Sequence, residues 1–184
     1  MKRKVLITGT AGFIGSRLSE HLNALGYEVL GCDIYNFRNQ FFDVGDSNHL
    51  ILQRLRYDRI AHFLQKNQIQ YQPIDLSDHG AVMALFESFQ PDVVVHLAAI
   101  IPELSHTGER SEDKPDAAYQ VNVGGMKNLI AALQAMPVPA SIVFTSTLHV
   151  YGLTQHLLPP RSVHDPVQPV EHYAKQKVVC ETLL

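Results

Sequence analysis

The sequence predicts an α/β protein with a parallel sheet covered by helices on both faces. Three observations carry this. Apolar runs of strand length alternate with stretches of helical spacing along nearly the whole chain. The first run, Val5-Leu6-Ile7, is continuously apolar, as in a strand buried on both faces. It passes straight into a glycine turn, Gly9-Thr10-Ala11-Gly12-Phe13-Ile14-Gly15, and then into a helix.

In chain order, residues 4–8 read as the first strand. Residues 13–25 read as a helix with Phe13, Ile14, Leu18, Leu22 and Leu25 on its buried face, ended by Gly26. Residues 28–33 and 69–74 follow as strands. Between them lies a polar insertion, residues 36–68, whose Leu50, Ile51, Leu55, Ile60 and Leu64 suggest one or two helices. Residues 78–89 read as a helix opened by Asp78, residues 92–97 as a strand and residues 116–136 as one long helix with Val121, Leu129, Ile130 and Leu133 as buried candidates. Residues 141–146 read as a fifth strand and 170–184 as a final helix. Residues 101–115 read as a mobile loop over the site, and residues 153–169, with four prolines, as a further loop. Right-handed crossovers give the strand order 3-2-1-4-5, with ligands at the carboxyl ends of the strands.

The 184 residues fit one domain, 1–184, with ample core. An apolar fraction of 46% and a mean hydropathy of −0.03 fit a water-soluble chain. A net charge of −3 argues against nucleic acid or an anionic membrane as partner. No stretch has the ~20 apolar residues of a membrane span. The ten histidines show no ligand spacing, so no metal is expected. Cys32 and Cys180 fit reduced thiols in the cytoplasm.

Gly9, Gly12 and Gly15, spaced GxxGxxG, let a backbone turn tightly where a helix begins, and the helix N-terminus near Phe13 and Ile14 offers N–H groups to a pyrophosphate. A dinucleotide is the ligand this predicts. Asp33 ends the second strand about twenty residues later, where an acid accepts from a ribose 2′-hydroxyl and repels a 2′-phosphate. NAD is therefore favoured over NADP, although Arg38 is close enough in sequence to keep NADP open. At the other end of the chain, Tyr173 and Lys177 are one helical turn apart, a spacing at which an ammonium stabilises a phenolate.

These motifs together resemble the extended short-chain dehydrogenase/reductases, the NAD-dependent epimerase/dehydratase group acting on nucleotide sugars. The likeness runs through the residue 8–15 turn, Asp33, Asp75-Leu76, His96-Leu97-Ala98-Ala99, Asn122, the stretch from Thr145 to Gly152, and Tyr173 to Lys177. It implies a Rossmann-type doubly wound sheet and an NAD-dependent epimerase that removes and returns a hydride. It implies that Asp75 and Leu76 neighbour the adenine, that Leu97, Ala98 and Ala99 line the middle of the dinucleotide, and that Thr145 lies near the nicotinamide. Thr147 and Tyr173 would be catalytic, Lys177 would bind the nicotinamide ribose, and Asn122 would support the site. A homodimer through helices 116–136 and 170–184 is also implied.

Leu148-His149 follow Thr147 where the family's 4,6-dehydratases have Asp-Glu, and the glutamate of the UDP-glucuronate decarboxylases is absent as well; epimerases need neither. Asp33-Ile34-Tyr35-Asn36 and Phe41-Phe42-Asp43-Val44 look like the insertion of UDP-glucuronate 4-epimerases, but the loop after Ala99 lacks the basic pattern of that group. Only seven residues follow Lys177, so the family's C-terminal substrate domain is expected to be missing. Two other readings stay open: a dinucleotide-binding module without turnover, and another NAD(P)-dependent oxidoreductase or dehydratase of sugar nucleotides.

Overall fold

The structure, a computed structural model, describes residues 2–34, 63–101, 111–152 and 162–184. Its centre is a five-stranded parallel sheet in the order β3-β2-β1-β4-β5, as the alternation predicts. The strands are β1 (Lys4–Thr8), β2 (Glu28–Asp33), β3 (Gln70–Pro73), β4 (Val93–His96) and β5 (Ser141–Phe144). In register, Leu6 lies beside Leu30 and Val94, and Thr8 beside Cys32 and His96. The three strands thus finish together at one edge, where the glycine turn begins.

Side chains alternate across the sheet. Leu6, Leu30 and Val94 face one layer, against Val82, Leu85 and Phe86 of helix α2 (His79–Phe89) and Leu129 of α4 (Gly125–Ala135). Val5, Ile7 and Val29 face the other, against Leu18 and Leu22 of α1 (Phe13–Ala24) and Leu64 from the helical residues 63–66. Leu6 and Ile7 are wholly buried, each stabilising the fold by roughly 2–3 kcal/mol through transfer from water.

The helix ends follow local chemistry. Gly26, at φ +89°, closes α1; its N–H donates to Asn23 O and that of Tyr27 to Leu22 O. Asp78 caps α2 by accepting from Ala81 N at 3.0 Å.

Two expectations need correction. Phe13, Ile14 and Leu25 lie outside the buried face of α1, at 75%, 61% and 61% exposure. Gly15, Ser16 and Ser19 take that face, with Leu18 and Leu22 partly buried, because the helix packs too closely on the glycine turn for large side chains. A Cβ on Gly15 would stand 2.2 Å from Gly9 O.

The expected single helix over 116–136 is interrupted. It opens as α3 (Pro115–Tyr119), widens into one π turn (Gln120–Gly124) and continues as α4. Such turns add one residue to an α ladder. The last helix, α5 (His172–Leu183), packs Cys180 and Val179 against Val123 and Met126. Most of the 36–68 insertion, with Arg38, lies outside the described residues, as do parts of the two long loops.

Candidate functional site

The carboxyl ends of β1, β4 and β5 and the start of α5 enclose one region. The turn after β1 is fixed by backbone contact. Gly9 has φ +74°, and a Cβ there would meet Ala98 N at 2.7 Å. Gly12 N donates to Gly9 O at 2.9 Å, and Gly12 occupies the cap position of α1 without a side chain to satisfy the helix. The N–H groups of Phe13, Ile14 and Gly15 consequently have no acceptor among the described residues. Three unpaired donors and the positive end of a 12-residue helix form a ready receptor for a phosphate group.

Asp33 joins this turn from the end of β2. Its Oδ2 accepts from Ala11 N at 3.1 Å and its Oδ1 from Ile34 N at 2.8 Å. The expected acid is therefore beside the glycine loop. The other residues of the dinucleotide side differ in how open they are. Asp75 is exposed, its carboxylate accepting from Ser77 N and Oγ at 2.9 and 2.8 Å. Leu76 is a core residue whose carbonyl accepts from Asn128 Nδ2. Leu97, Ala98 and Ala99 are half-buried just beyond β4.

Thr8 organises that stretch, a role the sequence did not reveal. Its Oγ1 accepts from Leu97 N and Ala98 N, both at 3.2 Å, and lies 2.7 Å from His96 Nδ1. With both N–H groups donating to Thr8, the hydroxyl proton goes to Nδ1, which leaves the His96 proton on Nε2. His96 is buried and stacks on Phe144 at 5.7 Å. Burial, with Lys177 nearby, lowers its pKa to about 3, so it is neutral.

Lys177 is buried under the same strands. Its Nζ donates to Thr145 O at 2.8 Å and lies 4.5 Å from the Phe144 ring and 5.5 Å from the Tyr173 ring. Burial lowers its pKa to about 8, against the opposing pull of Cys180 and Glu181. Thr145 Oγ1 donates to His96 O at 3.1 Å, joining the ends of β4 and β5. Thr147 caps a short 3₁₀ turn (Leu148–Tyr151), its Oγ1 accepting from His149 N at 3.3 Å. The hydroxyl proton of Thr147 has no acceptor among the described residues and is available to a ligand.

Asn122 sits in the π turn, buried. Its Oδ1 accepts from Ile100 N at 2.8 Å, and its Nδ2 donates to Ile100 O at 2.9 Å and to Gln176 Oε1 at 2.7 Å. It ties the β4 turn to the helix of Tyr173 and Lys177. Gln176 and Glu112 were not legible as site residues. Among the described residues no group of histidines, cysteines and acids could hold a metal ion, and no helix is long and apolar enough to cross a membrane.

Comparison with known proteins shows the family to which the chain belongs. The model of the NAD dependent epimerase/dehydratase family matches residues 5–184. UDP-glucose 4-epimerase of Homo sapiens is 33% identical over 184 residues, which are the whole of this chain and 48% of that protein. Methionine adenosyltransferase 2 subunit beta of Rattus norvegicus is 28% identical over 96% of this chain and 41% of that one. In three dimensions the chain resembles UDP-glucose 4-epimerase of Thermus thermophilus, solved in complex with NAD, with a TM-score of 0.71 and 27% identity over 98% of this chain and 49% of the other. The chain thus spans about half the length of the relatives it matches, and a match over almost all its residues makes it a member of the NAD-dependent epimerase/dehydratase family.

Proposed function

We propose that this chain is the cofactor-binding part of an NAD-dependent nucleotide-sugar 4-epimerase, with a UDP-sugar as substrate. The observation that carries the reading is the Lys177 ammonium, buried and held between Thr145 O and the Tyr173 ring. The relatives named as UDP-glucose 4-epimerases, and the neighbour solved with NAD, support a UDP-sugar and NAD as the substrate and cofactor.

NAD, when bound, would supply the hydride acceptor and donor for the sugar carbon. The chain's own residues serve the proton and the positioning. The free N–H groups of Phe13, Ile14 and Gly15 bind the pyrophosphate, and Asp33 binds the adenosine ribose, with Asp75 and Leu76 on the adenine side. Leu97, Ala98 and Ala99 line the middle of the dinucleotide and Thr145 its nicotinamide end. Tyr173 removes the proton from the sugar hydroxyl and returns it, because the Lys177 charge beside its ring favours the phenolate. The unpaired Thr147 hydroxyl proton holds the same sugar oxygen. Lys177 also holds the nicotinamide ribose, and Asn122 keeps the β4 turn and α5 in step.

The free, buried Cys32 and Cys180 support a reducing compartment, the cytoplasm. Residues 1–184 act as one dinucleotide-binding domain, and helices 116–136 and 170–184 support a homodimer, which light scattering on the eluted protein tests. The decisive experiment is reduced cofactor formation on mixing with UDP-glucose or UDP-galactose, followed by its loss in Tyr173→Phe. No reduced cofactor, in a protein that carries a substrate-binding part, overturns the reading. A second reading, dinucleotide binding without turnover, is favoured by the relative named as a subunit of methionine adenosyltransferase rather than as an epimerase; tight NAD binding with no sugar oxidation is its signature.

A further inference from the structure

The helix that carries Tyr173 begins without help from its own cap residue. Glu171 occupies the cap position of α5 and makes no side-chain bond to the helix. Its carboxylate is turned instead to His149, 2.6 Å from Nδ1. Glutamate is in any case a poor residue for capping its own helix, since its longer arm does not fold back as Asp or Ser does. The first N–H groups of α5 would be left unpaired.

They are paired from elsewhere in the chain. Glu112, sixty-one positions before Tyr173, reaches α5 with both carboxylate oxygens. Oε2 accepts from His172 N at 3.1 Å and Oε1 from Tyr173 N at 3.0 Å. Ser111, wholly buried, anchors the segment: its N–H donates to Ile101 O at 3.1 Å, and its Oγ lies 3.4 Å from Glu112 Oε1. Three residues on, Pro115 O accepts from Gln176 Nε2 at 3.2 Å, and Gln176 Oε1 accepts from Asn122. The stretch from Ser111 to Asn122 therefore grips α5 at three successive turns, at His172 and Tyr173, at Gln176, and at Cys180, whose Sγ donates to Asn122 O at 3.4 Å. Gln176 adjoins Lys177, and Glu112 holds the backbone of Tyr173 itself.

We propose that Glu112 is a positioning residue for Tyr173, a carboxylate supplied by the segment after β4 that caps the first turn of α5 and fixes where the phenol stands. The proposal rests on the reading of Tyr173 as the proton-transferring group. A carboxylate is suited to the task, because two acceptor oxygens match two adjacent N–H groups and a negative charge favours the N-terminal end of a helix. An amide has one acceptor and would turn its NH₂ toward the second donor, so Glu112→Gln keeps about half of the clamp.

The test follows amide exchange and the ring ¹³C signal of labelled tyrosine in the 184-residue chain with NAD present. Wild type is compared with Glu112→Gln and Glu112→Ala, and Tyr173→Phe identifies the Tyr173 signal by its loss. In Glu112→Ala the amides of His172 and Tyr173 are expected to exchange roughly tenfold faster. Glu112→Gln is expected to give a smaller rise, amides from Val178 to Thr182 none, and the Tyr173 ring signal is expected to shift in both variants. Unchanged exchange at His172 and Tyr173, or equal acceleration along all of α5 with the ring signal unmoved, overturns the proposal. If Glu112→Ala does not fold, Glu112→Gln decides by the same readings. Sugar oxidation surviving in Tyr173→Phe would remove Tyr173 from the reaction and leave the measured clamp untouched, so the two failures are distinguishable.

Discussion

The carboxylate of Asp33 accepts from the N–H of Ala11 at 3.1 Å, so the end of β2 is fastened to the glycine turn. On the proposed placement of the adenosine ribose, that negative charge faces the 2′ position. NAD is expected to bind roughly ten- to a hundredfold more tightly than NADP, and Asp33→Asn, which keeps an oxygen for Ala11 N, is expected to shrink that gap. Calorimetric titration of both cofactors checks it; equal affinities in the wild-type chain remove Asp33 from the ribose.

Two glycines of different standing predict different costs. A Cβ at Gly15 meets Gly9 O at 2.2 Å, whereas one at Gly26 meets nothing within 4 Å and is opposed by φ +89° alone. Gly15→Ala is expected to lower stability by roughly 2–4 kcal/mol, since backbone must move. Gly26→Ala is expected to cost about 1 kcal/mol. Urea unfolding of both variants gives the comparison.

Tyr173→Phe keeps the ring beside Lys177 and deletes the hydroxyl. In a protein that includes a substrate-binding part, epimerase turnover is expected to fall roughly 10²–10⁴-fold while NAD affinity stays within about twofold. Steady-state rates with cofactor titration separate the two effects.

Acid should unfold the chain early through His96. Its folded pKa of about 3 lies below the ordinary 6.5, so between these values the unfolded state binds the extra proton. Stability is full above pH 6.5 and falls as pH drops toward 3, by about 1–2 kcal/mol between pH 6.5 and 5. Glu112, whose burial is outweighed by the N–H groups of Tyr173 and His172, has its pKa lowered, so its contribution to stability is also lost on the acid side. Lys177, lowered by burial to about 8 from 10.5, has the same sign at the alkaline side: its contribution to stability rises as pH climbs from 8 to 10.5. Urea midpoints at pH 7 and 5 are expected to differ less in His96→Gln than in the wild type.

Strand order and the glycine turn were legible because each is written locally: a doubly buried strand is continuously apolar, and a tight turn under a helix needs glycine. The one-turn spacing of Tyr173 and Lys177 is common on helices, and only the family resemblance singles the pair out as a candidate. The buried face of α1 was not, because periodicity marks the large apolar side chains, and here close approach selects Gly15, Ser16 and Ser19 instead. Glu112, Thr8 and Gln176 stayed hidden for another reason. Their work is done across the fold, on backbone groups and amides sixty or ninety positions away, and nothing in a polar residue's own neighbourhood announces such a partner.

The π turn at Gln120–Gly124 bears on how this stretch tolerates changes of length. Each residue in a helix advances the chain about 100° around the axis and ~1.5 Å along it. A π turn takes up one more residue than an α turn in nearly the same sweep, so deleting one residue there would restore a plain α ladder with α4 still in phase with Ala118. Met126 and Leu129, both fully buried, would keep their places, and the loss would fall on Asn122 inside the turn, with its bonds to Ile100 and Gln176. The extra residue thus aims Asn122 without disturbing α4, whereas a one-residue deletion in the plain helix of α4, with no wide turn to absorb it, would rotate everything after it by about 100°.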